Sequence, residues 1–123
     1  MQSQRILVID DDFDIRQSLA EVLESENHTV LQASDGLEAL EKLKDDLLPN
    51  LILLDLTMPR MNGWQFMDKC QKDPRCKKVP IVVISAVATK EAAQGAVDFI
   101  RKPVDINILL DKVRIRSHQP TFQ

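Results

Sequence analysis

The sequence predicts an α/β fold in which one parallel sheet of five strands is covered by helices on both faces. Three short apolar runs rich in β-branched residues, at positions 6–9, 51–54 and 81–84, show no polar alternation. Such runs are typical of strands that are buried on both faces. Helical patterns alternate with them, and parallel neighbouring strands need crossover connections of this kind. We therefore expect a doubly wound sheet with the strand order 2-1-3-4-5.

The remaining elements follow from weaker patterns. Two further strands are predicted at positions 30–33 and 97–100, and a helix is predicted over positions 63–71. That helix should end at Asp73-Pro74, because proline disfavours its continuation. Three other helices are predicted by apolar stripes at helical spacing. The stripes comprise Ile15, Leu19, Val22 and Leu23; Leu37, Leu40, Leu43 and Leu47; and Ile106, Leu109, Leu110 and Val113.

Length and composition favour one domain. The chain has 123 residues, and we expect a core over about 5–116 followed by a C-terminal tail over 117–123. With 16 Lys and Arg against 19 Asp and Glu, the net charge of −3 argues against direct nucleic-acid binding. The apolar runs are far shorter than the ~20 residues of a membrane span. Since the first residues also lack a signal-peptide pattern, the sequence predicts a cytoplasmic protein without a membrane partner.

The cysteines and histidines of the sequence do not indicate a metal-binding site. In a cytoplasmic protein, Cys70 and Cys76 are expected to be reduced thiols. A metal site based on thiolates needs more Cys or His partners than the chain provides. The isolated His28 and His118 are expected at the surface.

Carboxylates are concentrated where the first and third strands end. Asp10-Asp11-Asp12 follows the first strand and Asp55 follows the third, so the topology brings them to one edge of the sheet. Asp12 is well placed as the N-cap of the next helix, and Asp14 suits its first turn. Neither role explains Asp55. Carboxylates that lie close together repel one another unless a cation or a proton compensates them.

The oxygen-rich donor set predicts a hard divalent cation. A few carboxylates with water suit octahedral Mg²⁺ better than Ca²⁺, which needs more protein ligands. An EF-hand is not supported, because a loop beginning at Asp10 lacks the glycine and the glutamate that this motif requires.

Two polar residues follow the last two strands. Ser85 comes after the fourth strand and Lys102 follows the fifth. A hydroxyl and an ammonium beside Mg²⁺ and a carboxylate are the groups that neutralise a phosphoryl group. Asp55 is then the candidate nucleophile, which would form an acyl phosphate. Taken singly, Ser85 and Lys102 would be an ordinary loop serine and a solvated charge.

Four segments together resemble the receiver domain of two-component response regulators, and the chemotaxis regulators in particular. They read Ile-Leu-Val-Ile-Asp-Asp-Asp, Leu-Ile-Leu-Leu-Asp-Leu-Thr-Met-Pro-Arg-Met-Asn-Gly, Ile-Val-Val-Ile-Ser-Ala and Ile-Arg-Lys-Pro. The resemblance implies that Asp10 and Asp11 organise Mg²⁺ together with Asp55 and the backbone carbonyl of Thr57. It also implies that Asp55 accepts a phosphoryl group from a sensor histidine kinase or a phosphotransfer protein.

The resemblance assigns the remaining roles as well. Ser85 matches the residue that hydrogen-bonds the phosphoryl group and moves on activation, and Lys102 matches the lysine that pairs with it. Phe99 stands where the family has its aromatic switch. Pro103 is expected to follow a cis peptide bond.

The chain departs from this family between the fourth and fifth strands. Fewer residues than usual separate Ser85 from Lys102, so we expect the helix between these strands to be shortened to about positions 89–94 and the output face to be remodelled. Val87 occupies a position that tunes the lifetime of the phosphoryl group in the family. Its apolar side chain predicts slow hydrolysis.

We therefore predict a stand-alone response regulator in two-component signal transduction that acts on a downstream protein target. It would not be an enzyme in the usual sense, although it assists its own phosphoryl transfer and dephosphorylation. Two alternatives remain: a receiver fold that binds partners without phosphorylation, and a phosphohydrolase of the haloacid dehalogenase type. The second is disfavoured, because those enzymes carry an Asp where this chain has Thr57.

Overall fold

The structure is a computed structural model that describes residues 3–117. Its sheet has five strands, and all of its pairings are parallel: β1 Arg5–Ile9, β2 Thr29–Ala33, β3 Leu51–Leu54, β4 Ile81–Ser85 and β5 Asp98–Arg101. The strand order is β2-β1-β3-β4-β5, which confirms the predicted topology. The switch in strand order therefore lies between β1 and β3, where the carboxylates were expected.

Within residues 3–117, three α-helices and one short 3₁₀ helix lie between strands, and a fourth α-helix follows β5. They are α1 Phe13–Ser25, α2 Gly36–Lys42, α3 Gly63–Gln71, the 3₁₀ helix Cys76–Lys78, and α4 Ile106–Arg116. Among residues 3–117, none of the helices has the length and hydropathy that a membrane span needs.

The two faces of the sheet bury separate apolar clusters. Alternate residues of each strand point to opposite faces, so Ile6 and Val8 of β1 pack with Leu23 of α1 and Leu109 of α4. The opposite face buries Phe66 of α3 with the remaining β1 residues and α2. This double coverage explains why the strands read as continuous apolar runs.

Helix α2 is shorter than its apolar stripe predicts. It ends at Lys42, and Leu43 is its C-cap. Leu47, the last residue of the predicted stripe, is exposed. The predicted length of α2 was wrong because the helical spacing of leucines continues to Leu47. The chain leaves the helix before that residue in order to reach β3.

The segment over residues 86–97, between β4 and β5, contains turns and an isolated bridge, not the shortened helix that was predicted. Side chains of neighbouring elements satisfy some of its carbonyls. Trp64 Nε1 donates to the Ala92 carbonyl at 3.0 Å, and Arg101 Nε donates to the Ala88 carbonyl at 3.2 Å. Since few residues connect β4 to β5, these bonds replace part of what a helix would supply.

The cysteines are joined in a disulfide, so the prediction of reduced thiols is wrong for this structure. Cys70 lies in the last turn of α3 and Cys76 begins the 3₁₀ helix, and both are buried. The turn at Asp73-Pro74 reverses the chain and brings their Cα atoms to 5.1 Å.

His28 is buried, which contradicts its predicted surface position. Its Nδ1 accepts a hydrogen bond from the Gln4 amide at 3.0 Å, and burial lowers the pKa of the imidazole below its usual value. His118 lies outside the described residues.

Candidate metal centre

Asp10 and Asp55 stand next to each other because β1 and β3 are adjacent and parallel. The Asp55 amide donates to the Ile9 carbonyl at 2.9 Å, and the Asp10 amide donates to the Ala33 carbonyl at 3.1 Å. The sheet therefore fixes the backbone of both residues at its carboxyl edge.

Three carboxylates converge at this edge. Asp10, Asp11 and Asp55 each offer an oxygen, and these oxygens all lie within 4.8 Å of one another. Asp10 and Asp55 are buried, whereas Asp11 is exposed. The side of the cluster formed by Asp10 and Asp55 is therefore shielded from solvent, whereas the side at Asp11 is open to it.

Lys102 supplies the positive charge that the cluster needs. Its Nζ lies 2.7 Å from Asp10 Oδ2 and 3.6 Å from Asp55 Oδ2. Burial by itself lowers the pKa of the Lys102 ammonium. The hydrogen bond to Asp10 and the charges of Asp10 and Asp55 have a larger combined effect, so the pKa is raised above its usual value. The lysine that follows β5 is thus held in its charged form between two carboxylates. The Lys102-Pro103 peptide bond is cis, as predicted.

The pKa of Asp55 is raised above its usual value. Burial is the largest cause, and the charge of Asp10 is the second; Lys102, Ser85 and the Leu56 amide act in the opposite direction. The Leu56 amide donates to Asp55 Oδ1 at 2.8 Å and fixes the orientation of the carboxylate. Burial and the neighbouring Asp10 therefore both disfavour the charged form of Asp55, and a cation bound beside it would favour that form.

Ser85 lies at the end of β4, fully buried, and its hydroxyl acts to lower the pKa of Asp55. Its Oγ accepts a hydrogen bond from the Val87 amide at 3.3 Å, and its carbonyl accepts one from the Lys102 amide at 3.1 Å. Ser85 therefore contacts both the segment over 86–97 and the end of β5, while its hydroxyl acts on Asp55.

Other predicted site residues occupy different environments. Thr57 is exposed in the loop after β3, and Phe99 is half-buried on β5 against the α2 and α3 side of the core. Asp12 is the N-cap of α1 and accepts from the Ile15 amide at 3.1 Å, while Asp14 lies in the first helical turn. The predicted capping roles are confirmed.

Sequence reasoning missed two supporting side chains. Arg16 of α1 donates to the Asp10 carbonyl at 2.7 Å. Arg60, in the loop after β3, donates through Nε to Asp35 Oδ2 at 2.6 Å. Asp35 is the N-cap of α2, and an Asp-Gly pair before a helical stripe was a signal for that cap. Nothing in the spacing of the residues indicated its pairing with Arg60.

This arrangement fits a hard divalent cation. Its donors are carboxylate oxygens, which Mg²⁺ prefers, and the open side at Asp11 leaves room for water or phosphate oxygens to complete the coordination. A cation there would face both a nucleophilic carboxylate and an ammonium.

Curated relatives are similar in sequence over most of this chain. Protein PilH of Pseudomonas aeruginosa is 31% identical over 117 residues, which cover 89% of this chain and 93% of PilH. The DNA-binding dual master transcriptional regulator RpaA of a Synechocystis strain is 33% identical over 115 residues. These cover 89% of this chain and 47% of RpaA, so the chain spans about half the length of that regulator.

Solved structures share the fold. A CheY-like response regulator receiver domain protein from Methanospirillum hungatei superimposes with a TM-score of 0.83 at 30% sequence identity, covering 94% of each chain. The sequence model of the response regulator receiver domain matches residues 6–114 of this chain. The chain therefore belongs to the response regulator receiver domain family.

Proposed function

We propose that this chain is a receiver that accepts a phosphoryl group on Asp55 in a Mg²⁺-dependent reaction and presents a phosphorylation-dependent surface to a downstream protein. The observation that carries the proposal is the meeting of three carboxylates and Lys102 at the β1 and β3 strand ends. Three negative charges and one ammonium leave an excess of negative charge for a divalent cation to balance.

Mg²⁺ would be held by Asp10, Asp11 and Asp55, with the backbone carbonyl of Thr57 as a further ligand. When bound, the ion neutralises phosphoryl oxygens that would otherwise be repelled by these carboxylates. A divalent charge beside Asp55 would favour the carboxylate form of the acceptor, against the burial and the Asp10 charge that raise its pKa.

Asp55 would act as the nucleophile towards a phosphohistidine of a sensor kinase or a phosphotransfer protein. A carboxylate oxygen of Asp55 forms a bond to phosphorus while the bond from phosphorus to the histidine nitrogen breaks, and that nitrogen keeps the electron pair. The Leu56 amide holds Asp55 Oδ1, and Lys102 lies on the side of Oδ2. Lys102 would neutralise charge on the transferred group.

Phosphorylation would cause a conformational change that begins at Ser85 and reaches the protein surface. A phosphoryl group adds about −1.5 to −2 charge and new acceptor oxygens at Asp55, which attract the Ser85 hydroxyl. Movement of Ser85 withdraws the acceptor from the Val87 amide and leaves space that Phe99 can fill. A charge change at one carboxylate thereby becomes a rearrangement of the segment over 86–97 and of β5.

The proposed setting is the cytoplasm, with protein partners, and the Cys70–Cys76 disulfide would be exposed to reducing conditions there. The net charge of −3 gives no electrostatic attraction to nucleic acid, and it disfavours an anionic membrane surface as a partner for the same reason.

Incubation with the small phosphodonor acetyl phosphate tests the proposal. We expect a mass increase of one phosphoryl group in the presence of Mg²⁺ that chelation prevents and Asp55→Asn abolishes. Glu41→Gln is the matched control, since it removes an exposed carboxylate whose ion-pair partner within residues 3–117 is the surface residue Lys44, and it should be phosphorylated normally.

The outcomes separate the alternatives. A persistent mass increase at Asp55 supports the receiver, and continuous release of phosphate without accumulation supports a phosphohydrolase. Neither phosphorylation nor turnover, in a protein that still captures partners, supports a module that binds independently of phosphorylation.

A further inference from the structure

We propose that the ion pair between Arg60 and Asp35 positions the metal centre by holding the loop that carries Thr57. This inference rests on the proposed function, because it concerns Mg²⁺ binding at that site. Neither residue belongs to the carboxylate cluster, so they would be positioning residues and not ligands.

The loop after β3 needs outside support. Between the end of β3 and the start of α3 it reverses over residues 55–62, and Arg60 adopts a φ of 65°, in the left-handed region that non-glycine residues rarely occupy. Such a conformation persists where surrounding contacts determine it. The proximal part of the loop is fixed by the bond from the Gly63 amide to the Leu56 carbonyl at 2.9 Å.

The distal part of the loop is attached to the start of α2 at two points. Arg60 Nε donates to Asp35 Oδ2 at 2.6 Å, and the Gly36 amide donates to the Met61 carbonyl at 3.1 Å. Asp35 is almost fully buried, and its other oxygen caps α2 by accepting from the Glu38 amide. Helix α2 therefore provides a rigid anchor for the loop.

Arg60 and the Glu38 amide both stabilise the charged form of Asp35. A buried carboxylate is costly unless it is paired, and Arg60 is the ion-pair partner found for Asp35 within residues 3–117. The guanidinium also holds the pKa of Asp35 below its usual value despite burial. Since Thr57 lies three residues before Arg60, release of the pair should let the loop move away from Asp55 and weaken its contribution to metal binding.

Two variants test the pair while preserving the fold. Asp35→Asn keeps a cap oxygen for α2 but removes the charge that pairs with Arg60. Arg60→Gly removes the side chain and accepts the positive φ without strain. The readout is the Kd of Mg²⁺ for the folded, unphosphorylated protein by isothermal titration calorimetry, with Glu41→Gln as the control.

We expect each variant to bind Mg²⁺ about tenfold more weakly, the effect typical of losing a residue that orients metal ligands. The double variant should be no weaker than either single variant, because the two residues act as one unit. A purely structural role would lower the free energy of unfolding and leave the Kd of the folded protein unchanged, and that result would overturn the inference.

The outcomes distinguish this inference from the proposed function. If the wild-type protein and the control bind Mg²⁺ and both variants bind it equally well, the positioning role is wrong and the proposed function stands. If the wild-type protein does not bind Mg²⁺, the proposed function fails and this inference fails with it.

Discussion

A methyl group added at Gly63 should lower the stability of the fold and disturb the backbone that carries Asp55. An ideal Cβ at this position would lie 2.4 Å from the Asp55 carbonyl oxygen and 2.8 Å from the Leu56 Cα. Ordinary contact begins at 3.4 Å, so the methyl group needs about 1 Å of extra space that only backbone movement can provide. Gly63→Ala therefore tests how tightly α3 is packed against the strand end that carries Asp55.

The expected cost can be estimated from opposing effects. Overpacking of a dense core costs about 1–3 kcal/mol, and a clash with backbone atoms, which cannot rotate away, belongs at the upper end of that range. Alanine regains up to about 1 kcal/mol, because it is a better helix former than glycine and Gly63 begins α3. The free energy of unfolding should therefore fall by about 2 kcal/mol.

Gly36→Ala is the matched control, since Gly36 begins α2 in the same way. There the added Cβ would lie 2.7 Å from Met61 Cγ and 3.0 Å from Met61 Cβ, so rotation of the side chain relieves the first contact and the second needs a small shift. We expect a smaller loss than for Gly63→Ala, because these contacts are with a side chain and the gain in helix propensity offsets part of the repacking.

Urea denaturation followed by far-ultraviolet circular dichroism in magnesium-free buffer measures both variants. A Gly63→Ala protein as stable as the wild type, or less affected than Gly36→Ala, would refute the packing argument. A parallel loss of Asp55 phosphorylation in Gly63→Ala would show that displacement of the carbonyl also disturbs the acceptor.

Three further predictions concern other parts of the molecule. Reduction of the Cys70–Cys76 disulfide should lower the free energy of unfolding by about 2 kcal/mol, because the unfolded chain is no longer constrained by a short closed loop. Urea denaturation with and without reductant measures the difference. An unchanged denaturation midpoint would contradict the prediction. Because the folded state lowers the pKa of His28, the stability that this residue contributes is complete above its usual pKa of about 6.5 and declines as the pH falls below it. Denaturation between about pH 8 and pH 5 should show a smaller decline in His28→Gln, and equal declines would exclude His28 as the cause. Val87→Glu should shorten the phosphoryl lifetime at Asp55, because a carboxylate can orient water where the exposed valine cannot; release of phosphate at the wild-type rate would count against this role.

The sheet and its edge were largely predictable because burial leaves a direct trace in the sequence. The apolar runs of β1, β3 and β4 mark strands covered on both faces, and parallel topology then requires Asp10 and Asp55 to meet. The end of α2 was not predictable in the same way, since Leu43 and Leu47 continue the helical spacing after tertiary contacts have redirected the chain.

The features that escaped prediction depend on contacts between distant or turned segments. The spacing of Cys70 and Cys76 is compatible with free thiols, and only the turn between α3 and the 3₁₀ helix brings them together. Arg60 and Asp35 are separated by 25 residues, and their pairing requires the left-handed backbone at Arg60, which the arginine side chain does not signal.

The hydrogen bond between Trp64 and Ala92 gives the protein an internal optical probe. Trp64 is the one tryptophan of the chain, and its indole joins α3 to the segment that stands where a helix was expected. Its emission therefore originates next to that segment, without any attached dye. A stopped-flow trace of this fluorescence would time the rearrangement of residues 86–97 in the unmodified protein.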